Sequence, residues 1–103
     1  MIGLSEHFVK RGRFEIVYEI LTMCREPMLK THVMYGCNLS STQLERYLTL
    51  LVSRELLEVV NGEEKRLHRA TSKGLKFIAH YKHVTSLITT EIIMPPKVLG
   101  QPA

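Results

Sequence analysis

The sequence predicts a mainly α domain with one small β-hairpin: a three-helix core, a two-stranded wing and an extra C-terminal helix. Three observations predict it. From Lys30 to Val60, KTHVMYGCNLSSTQLERYLTLLVSRELLEVV reads as a helix, a tight turn, a capped amphipathic helix and a strand. Asn61-Gly62 follows, the strongest short hairpin signal a sequence offers. An apolar stripe at spacings of three and four then resumes at Leu75.

Each element has its own justification. Phe14, Val17, Ile20, Leu21 and Cys24 recur at helical spacing, so helix one runs from about Arg13 to Arg25, where Pro27 stops it. Met28 and Leu29 are left for a short extended stretch. Thr31 is placed to cap a helix two of barely two turns, with Val33 and Met34 facing inward and Gly36 ending it. Ser40 stands three residues before Gln43, the spacing of a capping box, so helix three starts at about Ser41. It carries Leu44, Leu48, Leu51 and Glu55 on one line, with Tyr47 and Val52 on the edges. At about 100° per residue the opposite face presents Thr42, Arg46, Thr49 and Ser53, flanked by Gln43 and Leu50.

Leu56 to Val60 has strand character, and the return strand is expected over Lys65 to Ala70, tipped by Asn61, Gly62, Glu63 and Glu64. Strand alternation is expected to leave Leu67 facing the core and to turn some of Lys65, Arg66, His68 and Arg69 toward phosphate. Thr71 caps a last helix in which Leu75, Ile78, Tyr81, Ile88 and Ile92 form a stripe, with Thr85 in one seam position. The stripe outruns a small core and predicts a homodimer helix over about 72–94, with Ile78, Tyr81, Thr85, Leu87, Ile88 and Ile92 at the interface. A helix folded back on its own domain is the alternative. Pro95 and Pro96 end the helix, and 95–103 is expected to be a flexible tail. The order of elements is that of a winged helix-turn-helix.

Composition points the same way. The 103 residues, 45% hydrophobic, suffice for one modest core, so 1–94 is read as a single domain. The net charge of +4 is unevenly placed: residues 1–64 carry about −2, whereas 65–103 carry about +6 with Glu91 as their one acid. A basic C-terminal portion is the electrostatic footprint of a polyanion partner. Met1 to Lys10 lacks the apolar core of a signal peptide, and Val84 to Met94 is too short to span a bilayer, so no membrane association is expected and the location expected is cytoplasmic and nucleoid-associated. Cys24 and Cys37 form no CxxC pair and read as reduced structural thiols. His80 and His83 share a helix face but have no third ligand nearby, so no metal site and no cofactor are expected. Asp is absent altogether, and no phosphate loop or nucleophile elbow is present, so no catalytic residue is proposed and the chain is not expected to be an enzyme.

The basic residues leading helix one, the KTHVMYGCNLSSTQLERYLTLLVSRELLEV run and TSKGLKFI resemble the archaeal winged-helix family of small predicted transcriptional regulators, which includes the ten-kilodalton chromatin-type proteins of Sulfolobus. The resemblance covers roughly residues 11–83. It rests on the Lys-Thr-x-Val-Met-Tyr helix, the Asn-Leu-Ser start of helix three and the Thr-x-Lys-Gly-Leu start of helix four. It implies double-stranded DNA binding with helix three as the recognition helix, and dimerisation through the last helix. This chain differs from the family's longer coiled-coil members in closing that helix at Pro95.

The residues expected at base edges are Thr42, Gln43, Arg46 and Thr49. Those expected at phosphates are Lys10, Arg11, Arg13, Lys30, Ser41, Lys65, Arg66, Arg69 and Lys73. A protein-interaction module inside a larger complex is the alternative function, because Glu45 offsets Arg46 and Glu55 offsets Arg54 along helix three.

Overall fold

The computed structural model describes residues 11–93 of the chain, with side chains described to Ile88. The expectations placed on Lys10, on the side chain of Ile92 and on the tail 95–103 lie outside the described residues.

Among the described residues seven elements follow in order: α1 (Arg13–Met23), β1 (Met28–Leu29), α2 (Lys30–Gly36), α3 (Ser41–Ser53), β2 (Leu57–Asn61), β3 (Arg66–Ala70) and α4 (Ser72–Ile93). Four helices enclose one core around Ile20, Leu21, Val33, Leu44, Leu51 and Leu57, all nearly or fully buried. Helix α1 buries Val17, Ile20 and Leu21, as its spacing predicts, and Ile16, which that spacing does not pick out, whereas Phe14 at the start of the pattern is 70% exposed. It stops at Met23 rather than Arg25, and the Cys24 carbonyl beyond it accepts the Ala70 N–H at 2.7 Å, tying the helix end to the sheet.

The sheet has three strands, not two, in the antiparallel order β1-β3-β2. Met28 pairs with His68 and Leu29 with Leu67, so the short extended stretch between α1 and α2 becomes an edge strand. This pairing corrects the sequence reading twice. Leu29 is held extended and caps α2 with backbone only, so Thr31 falls inside the first turn instead of capping it. With both neighbours paired, β3 is the central strand and buries His68 and Ala70, whereas Leu67 is only half-buried.

The turn from α2 to α3 is a Schellman closure. The Leu39 N–H donates to the Met34 carbonyl at 3.0 Å and the Asn38 N–H to Tyr35 at 3.2 Å, with Asn38 in the left-handed region at φ 56°. Asn tolerates that region better than most side chains, which explains its place here. Helix α3 then opens with the expected capping box: the Gln43 N–H donates to Ser40 Oγ at 3.1 Å, and the Ser40 N–H to Gln43 Oε1 at 3.0 Å. Leu44, Leu48 and Leu51 are buried.

Glu55 is not on the buried line of α3. The helix ends at Ser53, and a second Schellman closure joins the Leu56 N–H to Leu51 at 2.8 Å and Glu55 N–H to Val52 at 3.0 Å. Glu55 takes the left-handed position at φ 65° and is exposed. The Asn61-Gly62 signal marks the hairpin but not its turn. Asn61 is the last residue of β2, paired with Arg66, and the tip comprises residues 62–65, closed by the Gly62 N–H on the Lys65 carbonyl at 2.7 Å. Gly62 does not use a positive φ, which a two-residue Asn-Gly turn needs at both positions.

Thr71 caps α4 as predicted, its hydroxyl accepting from the Gly74 N–H at 3.0 Å while donating to the Glu55 carbonyl at 2.6 Å. The last helix packs on α1 through a ladder of rings: Phe14–Phe77 at 6.4 Å, Tyr18–Tyr81 stacked at 4.8 Å and Phe77–Tyr81 at 6.0 Å. No described helix is long and apolar enough to cross a membrane.

Candidate nucleic-acid interface

The leucine face of α3 is consumed by the core, so the opposite face is delivered to solvent by the same periodicity. Thr42, Arg46 and Thr49 are exposed on it, and Leu50 beside them is 43% exposed. Arg46 makes no hydrogen bond or ion pair among the described residues, leaving its forked guanidinium available. Gln43 is exposed too, but its Oε1 is committed to the cap, and only the amide N–H groups remain for a ligand. Ser41 is exposed at the first position of the helix, where backbone N–H groups point outward.

The expected phosphate contacts divide into two groups. Arg13, Lys65 and Arg66 are exposed and have no ion-pair or hydrogen-bond partner among the described residues. The other described cations among them are already engaged. Arg11 pairs with Glu19 and also donates to the Asn38 carbonyl at 3.3 Å, bracing the turn before α3. Lys30 pairs with Glu45, whose carboxyl is held below its usual range by that ammonium. Arg69 Nη2 lies 2.7 Å from Glu58 across the β2–β3 ladder, and Lys73 donates to the Arg54 carbonyl at 2.9 Å behind the end of α3. Exposed pairs of this kind are weak, so a phosphate can compete for these cations, but the free set has no such competition to overcome.

Between α3 and the sheet lies a groove of about 580 Å³. It brings Glu45, Thr49 and Ser53 of α3 alongside Arg66 of β3, so the free wing cation flanks the exposed face of α3. The sequence reading did not anticipate this groove, because it depends on which way β3 faces. His68 lines it, and burial together with the Arg66 and Lys30 charges pushes its pKa down against the opposing effect of Glu45. The patch on the basic portion of the chain is thus not reinforced by a solvated His68.

The residues expected at a dimer interface are separated by the fold. Ile78 is 4% exposed and belongs to the core of its own chain, whereas Leu75, where the stripe starts, is 46% exposed. Tyr81 is half-buried and occupied by Tyr18 and Phe77. The Thr85 hydroxyl donates back to the Tyr81 and Lys82 carbonyls within the helix. Leu87 and Ile88 are exposed at 62% and 56%, with Val84 at 54% beside them.

Cys24 and Cys37 are buried free thiols. Burial pushes Cys24 up to about 12, with a smaller push from Cys37, and burial pushes Cys37 to about 11, helped by Glu19 and opposed by Arg11. Neither offers a thiolate near neutral pH. Among the described residues, no three His, Cys, Asp or Glu side chains converge as a metal site requires.

Residues 10–89 match the winged helix-turn-helix family. An uncharacterized protein of Methanocaldococcus jannaschii is 34% identical over 50 residues, which are 48% of this chain and 52% of the relative, about half its length. The structure superposes on Sso10a-2, a DNA-binding protein from Sulfolobus solfataricus, with a TM-score of 0.71 at 24% identity, covering 87% of this chain and 95% of that one. It also superposes on a MarR-family transcriptional regulator from Rhodococcus sp. RHA1, with a TM-score of 0.67 at 19% identity, covering 82% of this chain and 66% of the other. At these identities the likeness to the solved structures is one of fold.

Proposed function

The chain belongs to the winged helix-turn-helix family, and from that premise we propose that it binds double-stranded DNA, with α3 in the major groove and the wing on the backbone. The observation that carries this reading is the pairing of a solvent-facing α3, bearing an unengaged Arg46, with unengaged cations at Arg13, Lys65 and Arg66. The first supplies hydrogen-bonding heads for base edges, and the second supplies charge for phosphates. The description of Sso10a-2 as a DNA-binding protein supports the same reading. The acidic Glu63 and Glu64 at the wing tip favour a wing that lies along the backbone rather than one inserted tip-first.

The protein acts in this reading as a transcriptional regulator or chromatin-type protein, not as an enzyme, and works at the nucleoid in the cytoplasm. It binds as a homodimer. The apolar residues Val84, Leu87 and Ile88 stand exposed on α4, and covering them with a second copy removes them from water while pairing two recognition helices.

The test is sequence readout by Arg46. A guanidinium placed on guanine contributes about 1–3 kcal/mol of discrimination, so Arg46→Ala is expected to relax preference at one base position and leave non-specific DNA almost unaffected. Selection of preferred sites from random duplexes by both proteins measures it. A uniform loss over all sequences makes Arg46 a phosphate clamp, and no loss removes α3 from the groove, as a protein-interaction module requires.

A further inference from the structure

The backbone on either side of α3 is held by a cation from elsewhere in the chain. Beyond the C-terminal end of α3, three consecutive carbonyls find donors at the start of α4. Lys73 Nζ donates to Arg54 at 2.9 Å, the Thr71 hydroxyl to Glu55 at 2.6 Å and the Thr71 N–H to Leu56 at 3.1 Å. The last carbonyls of a helix have no partners inside it, and a cation there also suits the negative end of the helix dipole. Ahead of the N-terminal end, Arg11 donates at 3.3 Å to the carbonyl of Asn38, the left-handed residue two places before the Ser40 cap. Glu19 of α1 holds the same guanidinium, and the two side chains keep only 27% and 31% of their surface in water.

We propose that Arg11 and Lys73 are positioning residues that fix the two ends of α3 for base readout, and are not phosphate contacts. The rings of Phe14, Tyr18, Phe77 and Tyr81 pack α1 on α4, so the two helices form one frame, and α3 is tied to that frame at both ends. Arg46 lies between the ties. A bidentate contact on a guanine edge tolerates little displacement of the helix that carries it. A phosphate contact made by Arg11 strips Glu19 and the Asn38 carbonyl of their partner, and one made by Lys73 strips the Arg54 carbonyl. The inference rests on the proposed function, since the placement of α3 matters to DNA only where α3 reads bases.

Binding of the full chain and its variants to the site selected from random duplexes, and to a random-sequence duplex, over a series of salt concentrations tests the assignment. Arg11→Gln, Glu19→Gln and Lys73→Met are each expected to weaken the selected site roughly tenfold and to leave the random duplex bound almost as tightly. The salt slope is expected to change by far less than the roughly 1.8 that follows when each protomer of a dimer loses one phosphate contact. Glu19→Gln reverses the sign of the two accounts. Removing an acid strengthens binding to a polyanion where charge alone acts, and weakens the selected site where Glu19 holds Arg11 in place. Lys73→Arg keeps a donor for the Arg54 carbonyl and is expected to restore the preference that Lys73→Met loses.

In the free chain, amide NMR signals are expected to move at Asn38 and Leu39 in Arg11→Gln and at Glu55 and Leu56 in Lys73→Met, with the dispersed spectrum of the fold retained. A slope shallower by about 1.8, an equal loss on both duplexes, or tighter binding of the selected site by Glu19→Gln overturns the positioning roles and leaves the proposed function standing. A wild-type chain that binds no DNA, or binds every duplex alike, removes base readout by α3 and this inference with it.

Discussion

Gly74 sits so close to Leu56 that a Cβ placed on it would overlap the Leu56 carbonyl oxygen and lie 3.4 Å from Ala70 Cβ. That carbonyl is fixed, because it accepts the Thr71 N–H at 3.1 Å. The first turn of α4 is therefore seated against the Leu56 backbone, just before β2, by the absence of a side chain. In an ordinary helix Gly→Ala gains about 1 kcal/mol. Gly74→Ala is expected to lose about 1–3 kcal/mol instead, since backbone has to move. At Gly36 the obstruction is the flexible end of Met23, so Gly36→Ala is expected to cost far less. Urea unfolding of both variants measures the contrast.

Glu55 spends its left-handed conformation on ending α3, with no described side-chain interaction to offset it. Glycine adopts that region without a steric penalty, and the Glu55 carbonyl that accepts the Thr71 hydroxyl is retained in any substitution. Glu55→Gly is expected to stabilise the fold by about 0.5–1 kcal/mol, read as a higher urea midpoint with the same slope. Destabilisation of that size would mean that Glu55 holds a contact worth more than the relieved strain.

The exposed apolar residues on α4 carry the assembly proposal. Ile88→Glu is expected to convert a dimer into a monomer in sedimentation and to weaken DNA binding severely, because one domain supplies too few phosphate contacts. Ile78→Glu is a poor probe of the same question, since Ile78 lies in the core and its loss unfolds the chain. A wild-type chain that sediments as a monomer at tens of micromolar removes the dimer.

What the sequence disclosed follows from how local each signal is. The Ser40–Gln43 capping box, the Leu44-Leu48-Leu51 face and the Thr71 cap depend on residues within one turn of each other, and all three stand as read. The strand β1 is two residues long and has no period, so its pairing with β3 was invisible, and with it the burial of His68 and the groove. The Asn61-Gly62 pair located the hairpin, but the choice of its turn lay with the Asn61–Arg66 register. Glu55 fitted the leucine line by spacing, and only the closure at Leu56 removed it from the helix. The α4 stripe looks the same where it packs on α1 and where it runs free, so spacing alone did not separate Ile78 from Ile88.

The most direct measurement of the central claim is the affinity of the wild-type chain for duplex DNA over a series of salt concentrations, alongside a variant with Lys65 and Arg66 both changed to Gln. Each phosphate contact adds roughly −0.9 to the slope of log affinity against log salt. The account predicts steep loss of binding with salt and, because the dimer loses two contacts from each protomer, a slope in the variant shallower by about 3.6. Binding that ignores salt, or a slope unchanged in the variant, would contradict it and take the DNA surface away from α3 and the wing.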